Sequence, residues 1–165
     1  PHAATPNARL NNINFLTGIG ILPEIKLDPL IPGLTDSDDN LDPLLKTLGG
    51  SGIKNVGLNY LFLRPIIHKN IRNALNHTKA LKKVSQAFYD NIDLKLLNSK
   101  SRVRALNLHF RQKRYEGISL LAKRYGIKTY VCGYKNPDIT EDLTCKAIVQ
   151  KPNVKMQVQY PLFSI

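Results

Sequence analysis

The chain has 165 residues, about one domain, with 42% hydrophobic and 22% charged residues, enough apolar material for a core. Its two cysteines exclude a disulfide framework. No stretch has the apolar core of a signal peptide or the roughly 18 apolar residues of a membrane span, so the expected setting is soluble and cytoplasmic with no membrane partner. The net charge of +12 is uneven: residues 1–63 hold 4 Lys/Arg against 6 Asp/Glu, and residues 64–165 hold 20 against 6, a net of −2 and +14. The basic segment points to nucleic acid as a partner through a salt-sensitive electrostatic attraction, or to a solvated surface that keeps the protein soluble.

Taken in chain order, Leu10, Ile13 and Leu16 recur at helical spacing over 6–18, and Gly18 and Gly20 end the run. Residues 21–31 read as a strand, Glu24, Lys26 and Asp28 alternating with Ile25 and Leu27, closed by the turn at Pro32-Gly33. Asp36, Ser37, Asp38 and Asp39 are helix-start residues, and Leu41, Leu44, Leu45 and Leu48 then share one helical face up to Gly49-Gly50-Ser51-Gly52. The acidic run Asp36, Asp38, Asp39 and Asp42 is read as capping in preference to a divalent-cation site. A second strand covers 53–63 and becomes continuously apolar, as suits a strand buried on both faces. Strand, helix, strand is the signature of a right-handed parallel crossover.

Beyond Pro65, the apolar residues from Ile67 to Phe88 mark one long amphipathic helix, with Lys69, Arg72, Lys79, Lys82 and Lys83 on its other faces. Shorter helical pieces are expected over 92–97 and 103–108. A helix over 111–125 has Tyr115, Ile118, Leu121, Ala122 and Tyr125 inward and Gly126 as its stop. Residues 127–131 read as a strand, 140–145 as a short helix, and 154–163 as an edge strand or loose tail.

Arg9-Leu10, the run Leu27-Asp28-Pro29-Leu30-Ile31-Pro32-Gly33-Leu34-Thr35-Asp36, and Leu61-Phe62-Leu63-Arg64-Pro65 together resemble the spore photoproduct lyase-like, or DNA repair photolyase, branch of radical SAM proteins. In that branch a strand ending in Pro-x-x-Pro-Gly-x-x-Asp leads to a helix, a Gly-rich turn and a strand ending in Leu-Arg-hydrophobic or Leu-Arg-Pro. The match covers about residues 5–70; the remainder resembles the family's C-terminal extension more loosely. The implied fold class is α/β: an incomplete parallel (β/α) barrel fragment, its last two or three strands in residues 1–65, followed over 66–165 by a mostly helical basic extension with a short C-terminal strand.

The resemblance implies a parent enzyme that binds S-adenosylmethionine and a 4Fe–4S cluster and makes a deoxyadenosyl radical, with DNA lesion repair as one use. The cluster loop of the family, C-x3-C-x2-C, is missing from this chain. Cys132 and Cys145, with twelve residues between them, cannot replace it, so the chain alone is expected to be inactive. The sequence opens on Pro1 and not on Met, which suggests a fragment or processed product, and the missing N-terminal half, or a partner chain, would complete the barrel. The cofactor-facing positions implied are Pro29, Leu30, Ile31 and Pro32 after the first strand and Phe62, Leu63 and Arg64 after the second. Ile31 and Phe62 would cover an adenine ring, and Arg64 would meet a carboxylate or phosphate.

Two further groups stand apart from the resemblance. Cys132 and Cys145 are two thiols, too few for a closed zinc site, and a free or buried pair is the alternative to a metal role. Lys100, Arg102, Arg104, Arg111, Lys113 and Arg114 place basic residues near Tyr115, a pattern that can clamp a phosphate backbone while a ring stacks on a base, or simply line a solvated helix face. The function classes open at this point are a radical SAM enzyme part, a non-catalytic nucleic-acid-binding module, and a degenerate barrel fragment acting as a scaffold.

Overall fold

The structure, a computed structural model, describes residues 3–96 and 102–139. The expected elements over 140–145 and 154–163 lie outside the described residues, as do Lys100 and Cys145. The elements run α1 (Pro6–Gly18), β1 (Ile25–Leu30), α2 (Asp38–Gly50), β2 (Asn55–Tyr60), α3 (Pro65–Ala74), α4 (Lys79–Ala87), β3 (Asn91–Lys95), β4 (Arg102–Leu106), α5 (Leu108–Lys123) and β5 (Lys128–Val131).

The architecture is mixed α/β. A three-stranded sheet in the order β1-β2-β5 is parallel throughout, and β3 pairs β4 antiparallel in a separate two-stranded sheet. The described residues form no closed barrel. The parallel sheet takes strands from both sides of Pro65, since β5 pairs β2 from Asn55↔Lys128 to Leu58↔Val131.

The crossover expected between residues 24 and 65 is present as β1-α2-β2. Leu41, Leu45 and Leu48 of α2 are buried, as the helical spacing requires, and Tyr115, Ile118, Leu121 and Ala122 of α5 meet them. Both helices share one apolar core with Val56, Leu58 and Val131, the residues on one side of the sheet. Gly49 lets the end of α2 come against the end of α5: a Cβ there would lie 2.7 Å from the Tyr125 carbonyl oxygen. Gly126, at φ +69°, reverses the chain after α5, and the Ile127 N–H reaches back to the Ala122 carbonyl.

Two expectations are corrected. The single long helix across 67–88 is two helices, parted at Leu75–Thr78. His77 adopts φ +60° and the Thr78 hydroxyl accepts from the Leu81 N–H, capping a new helix. The helical pieces expected over 92–97 and 103–108 are instead the β3–β4 hairpin. Ile92, Leu94, Val103 and Ala105 alternate with Asp93, Lys95, Arg102 and Arg104, a period of two that places the first set on one side, against Phe62. Leu63 and Arg104 bond through both backbone directions, at 2.9 and 3.2 Å, which ties the hairpin to the chain leaving β2.

Candidate functional site

In a parallel sheet fed by crossovers, ligands meet the carboxyl ends of the strands, because loops gather there over a polar backbone rim. Those ends carry a connected polar network in this chain, buried at its centre and open to solvent at Asp28 and Lys135. Asn59, near the end of β2, donates from Nδ2 to Asp28 Oδ1 of β1 at 3.0 Å. Its own Oδ1 accepts from Asn136 Nδ2 at 3.0 Å, in the loop after β5. Asn136 Oδ1 accepts from Arg111 of α5 at 2.8 Å. The Arg111 guanidinium also donates to the Leu106 carbonyl at 2.9 Å and forms a two-pronged ion pair with Asp138. Lys135 closes the far end on Asp28 Oδ2 at 2.5 Å.

Arg111 and Asn136 are fully buried and Asn59 nearly so, so each amide and each guanidinium nitrogen needs the partner it has. The result is a fixed line of dipoles from the Arg111 cation to the Asp28 carboxylate.

A second polar group lies behind it. Asp36, also buried, accepts from the Gly33 N–H at 2.7 Å and from the Tyr60 hydroxyl at 2.8 Å, with Arg114 beside it. The Tyr115 hydroxyl accepts from the Tyr60 N–H at 3.1 Å. Burial pushes the Tyr60 phenol far above its ordinary value, and the Asp36 charge pushes it further; burial likewise raises Tyr115. Of the other acidic residues in this run, exposed Asp38 faces Arg114 and Asp42 accepts from the Tyr125 hydroxyl at 2.7 Å, while Asp38 and Asp39 occupy the first turn of α2, whose N-cap is Ser37.

The side of the sheet away from the helices carries Lys26, Asp28, Gly57, Asn59 and Tyr130; Gly57, Asn59 and Tyr130 are buried there, outside the two apolar clusters. The phenol tip of Tyr130 reaches over Gly57, where a Cβ would stand 3.0 Å from its Cζ and hydroxyl oxygen. Its hydroxyl is buried without a partner among the described residues.

The expected cofactor-facing residues divide. Leu30 and Pro32 are buried, Ile31 is half-buried and Pro29 is exposed, all beside the network. Their backbone is already engaged: the Leu61 N–H donates to the Leu30 carbonyl, and the Ile31 N–H to the Thr35 hydroxyl at 2.8 Å. Phe62 packs into the hairpin, Leu63 pairs with Arg104, and Arg64 is exposed at the start of α3, so these three face the hairpin side.

Of the basic candidates, Arg102, Arg104 and Lys113 are exposed, Arg111 is internal and Arg114 is held by Asp36 and Asp38. Cys132, half-buried, follows β5, and its carbonyl accepts from the Lys135 and Asn136 N–H groups. Among the described residues no group of three or more His, Cys, Asp or Glu side chains could hold a metal ion, and no helix is long and apolar enough to cross a membrane.

Sequence reasoning missed Asn59, Asn136, Lys135 and Asp28 as one assembly. The available signal was Asn59 itself, an amide between Leu58 and Tyr60 in an otherwise apolar strand, since a buried polar side chain needs a dedicated partner.

The fold and site define a mixed α/β protein with a polar network at the carboxyl edge of a parallel sheet. Compared with family models, with curated proteins and with solved structures, the chain returned no match.

Proposed function

We propose that this chain supplies the C-terminal β/α units of a radical SAM barrel of the spore photoproduct lyase-like branch, completed by a preceding segment or a partner chain. The observation that carries the reading is the two-sidedness of the parallel sheet. Parallel sheets are ordinarily covered by helices on both sides, whereas the wall of a barrel has helices outside and a lumen inside. Here one side is apolar and helix-packed, and the other presents Lys26, Asp28, Gly57, Asn59 and Tyr130. The β1-α2-β2 crossover, and a β1 that carries Pro29 and Leu30 at its end and passes through Ile31 into the turn at 32–35, support the reading.

The described residues do not fit the iron–sulfur cluster: Cys132 is their only cysteine, and such a cluster takes at least three suitably placed thiolates. Its ligands would come from the completing segment, and no step through it is assigned to this chain. S-adenosylmethionine, when bound in the parent, would supply a deoxyadenosyl radical. Against it this chain offers the Asp28 carboxylate, held in one orientation by Asn59 and Lys135, and the apolar Leu30–Pro32 segment, which keeps water from the strand ends.

Iron and sulfide analysis after anaerobic reconstitution tests the reading on this chain and on a product extended upstream in its reading frame. The extended product is expected to contain C-x3-C-x2-C and to bind about four irons, the shorter one none. An upstream frame without the cysteine triplet, or an extended protein that takes up no iron, would sink it.

A further inference from the structure

A groove of about 510 Å³ opens between α3, α4 and the β3–β4 hairpin, apart from the strand-end network. Its two walls differ in kind. One is apolar, made by Leu63, Ile71, Leu81, Val84 and Phe88. The other is the polar side of the hairpin. Because strand residues alternate, packing Leu94, Val103 and Ala105 against Phe62 turns Asn91, Asp93, Arg102 and Arg104 the other way, and these four line the groove. Arg64 and His68 stand at the α3 end. The two-way backbone pairing of Leu63 with Arg104 holds the walls at a fixed spacing.

The charge of the groove is one-sided. Arg64, Arg102 and Arg104 are exposed, and among the described residues none of them forms a salt bridge, although Asp93 is the ladder partner of Arg104. Asp93 is the single carboxylate on the lining. The first turn of α3, whose Pro65 and His68 line the mouth, has no acidic residue, so its free N–H groups add to the positive field. Basic Lys69 and Arg72 continue outward along α3 into an adjoining depression.

The volume falls in the range of about 300–1,000 Å³ typical of small-molecule sites. A slot with one apolar wall, one carboxylate and one amide opposite it, and three guanidinium groups without an ion pair among the described residues suits a two-sided anion. A fatty acid would leave Asp93 and Asn91 unmatched, and a bare inorganic anion would leave the apolar wall empty.

We propose that this groove binds a nucleotide with an amino-bearing base. The ring lies on the wall of Ile71, Leu81 and Phe88, the amino edge donates to Asp93, and the phosphate is held by Arg102, Arg104 and Arg64. The same chemistry is offered by a free mononucleotide and by one unstacked nucleotide of a strand. The site stands without the barrel reading, since iron binding by an extended protein does not bear on it.

Calorimetric titration of the chain with 5′-CMP, AMP, GMP, UMP, inorganic phosphate and a single-stranded oligodeoxycytidine octamer tests it. The amino-bearing nucleotides are expected to bind, and UMP and phosphate to bind at least about tenfold more weakly. Arg102→Gln with Arg104→Gln, both at exposed positions, should weaken binding about tenfold or more. Ser85→Trp, also exposed and on the groove lining, should fill the slot and abolish binding with an unchanged circular dichroism spectrum. Asp93→Asn should erase the preference for amino-bearing bases. Tighter binding of the octamer than of CMP, lost in Ser85→Trp, identifies a nucleic-acid strand as the source; equal or tighter CMP binding identifies the free nucleotide. No binding of any nucleotide or of the octamer, equal binding of phosphate alone, or binding that survives both the arginine and the Ser85 variants would overturn it.

Discussion

Replacing Arg111 by methionine is expected to remove about 3–5 kcal/mol of folding stability, the cost typical of breaking a buried ion pair from one side. The Arg111 side chain has no exposed surface. Its donors go to the Leu106 carbonyl, to Asn136 and to both oxygens of Asp138. A thioether fills most of the volume and satisfies none of these acceptors, so a backbone carbonyl, an amide oxygen and a carboxylate lose their partner together. Arg111→Lys should fail nearly as badly, because one ammonium cannot reproduce the planar fork that spans three acceptors.

Urea denaturation of Arg111→Met, Asp138→Leu and the double variant measures this. The double variant should be more stable than Arg111→Met alone, because it no longer leaves a half-buried carboxylate unpaired. A loss below about 1 kcal/mol for Arg111→Met would show that the network holds nothing together.

The second large effect is alkaline instability centred on two tyrosines. Tyr60 and Tyr115 are both buried and both have folded pKa values raised above the ordinary value of 10.0, by desolvation first. A phenol whose pKa is raised on folding contributes stability that is intact below the unfolded pKa and is lost as pH climbs toward the folded one. Above about pH 10 the unfolded chain sheds both protons while the native chain keeps them. Two such groups should lower stability by about 2.7 kcal/mol per pH unit. Urea midpoints between pH 9 and pH 12 read the slope, and Tyr60→Phe should halve it. A flat profile across that window would contradict the burial of both hydroxyls.

Much of the fold was legible in the chain. The leucines of α2 and the inward face of α5 follow helical spacing, and the β1-α2-β2 crossover follows from two strand patterns around a capped helix. The misread portions fail for physical reasons. In β3 and β4 the alternation lasts only five residues each, too short to outweigh the appearance of scattered apolar positions in a basic, helix-prone context. The break at 75–78 depends on a threonine cap, a single side chain inside an otherwise continuous pattern.

The site was less legible. Arginine is expected at the surface, and the partners that bury Arg111 lie 25 and 27 residues further along the chain. Phe62, Leu63 and Arg64 lie just after β2, but the chain turns there toward the β3–β4 hairpin, whose short alternation is weak in the sequence.

The first helix shows how unevenly the stability of this molecule is distributed. α1 has no buried residue; Leu10 and Ile13 only rest on the core, Phe15 is 67% exposed, and a side-chain hydrogen bond from Ser51 to Asn14 spans 2.6 Å. α2 beside it drives three leucines to 1% exposure or less. A helix of thirteen residues is marginal by itself in water, so α1 is expected to open by local melting while the sheet and α2 stay closed. Its amides should therefore exchange with solvent deuterium well before those of α2, and trypsin should reach the bond after Arg9 without global unfolding.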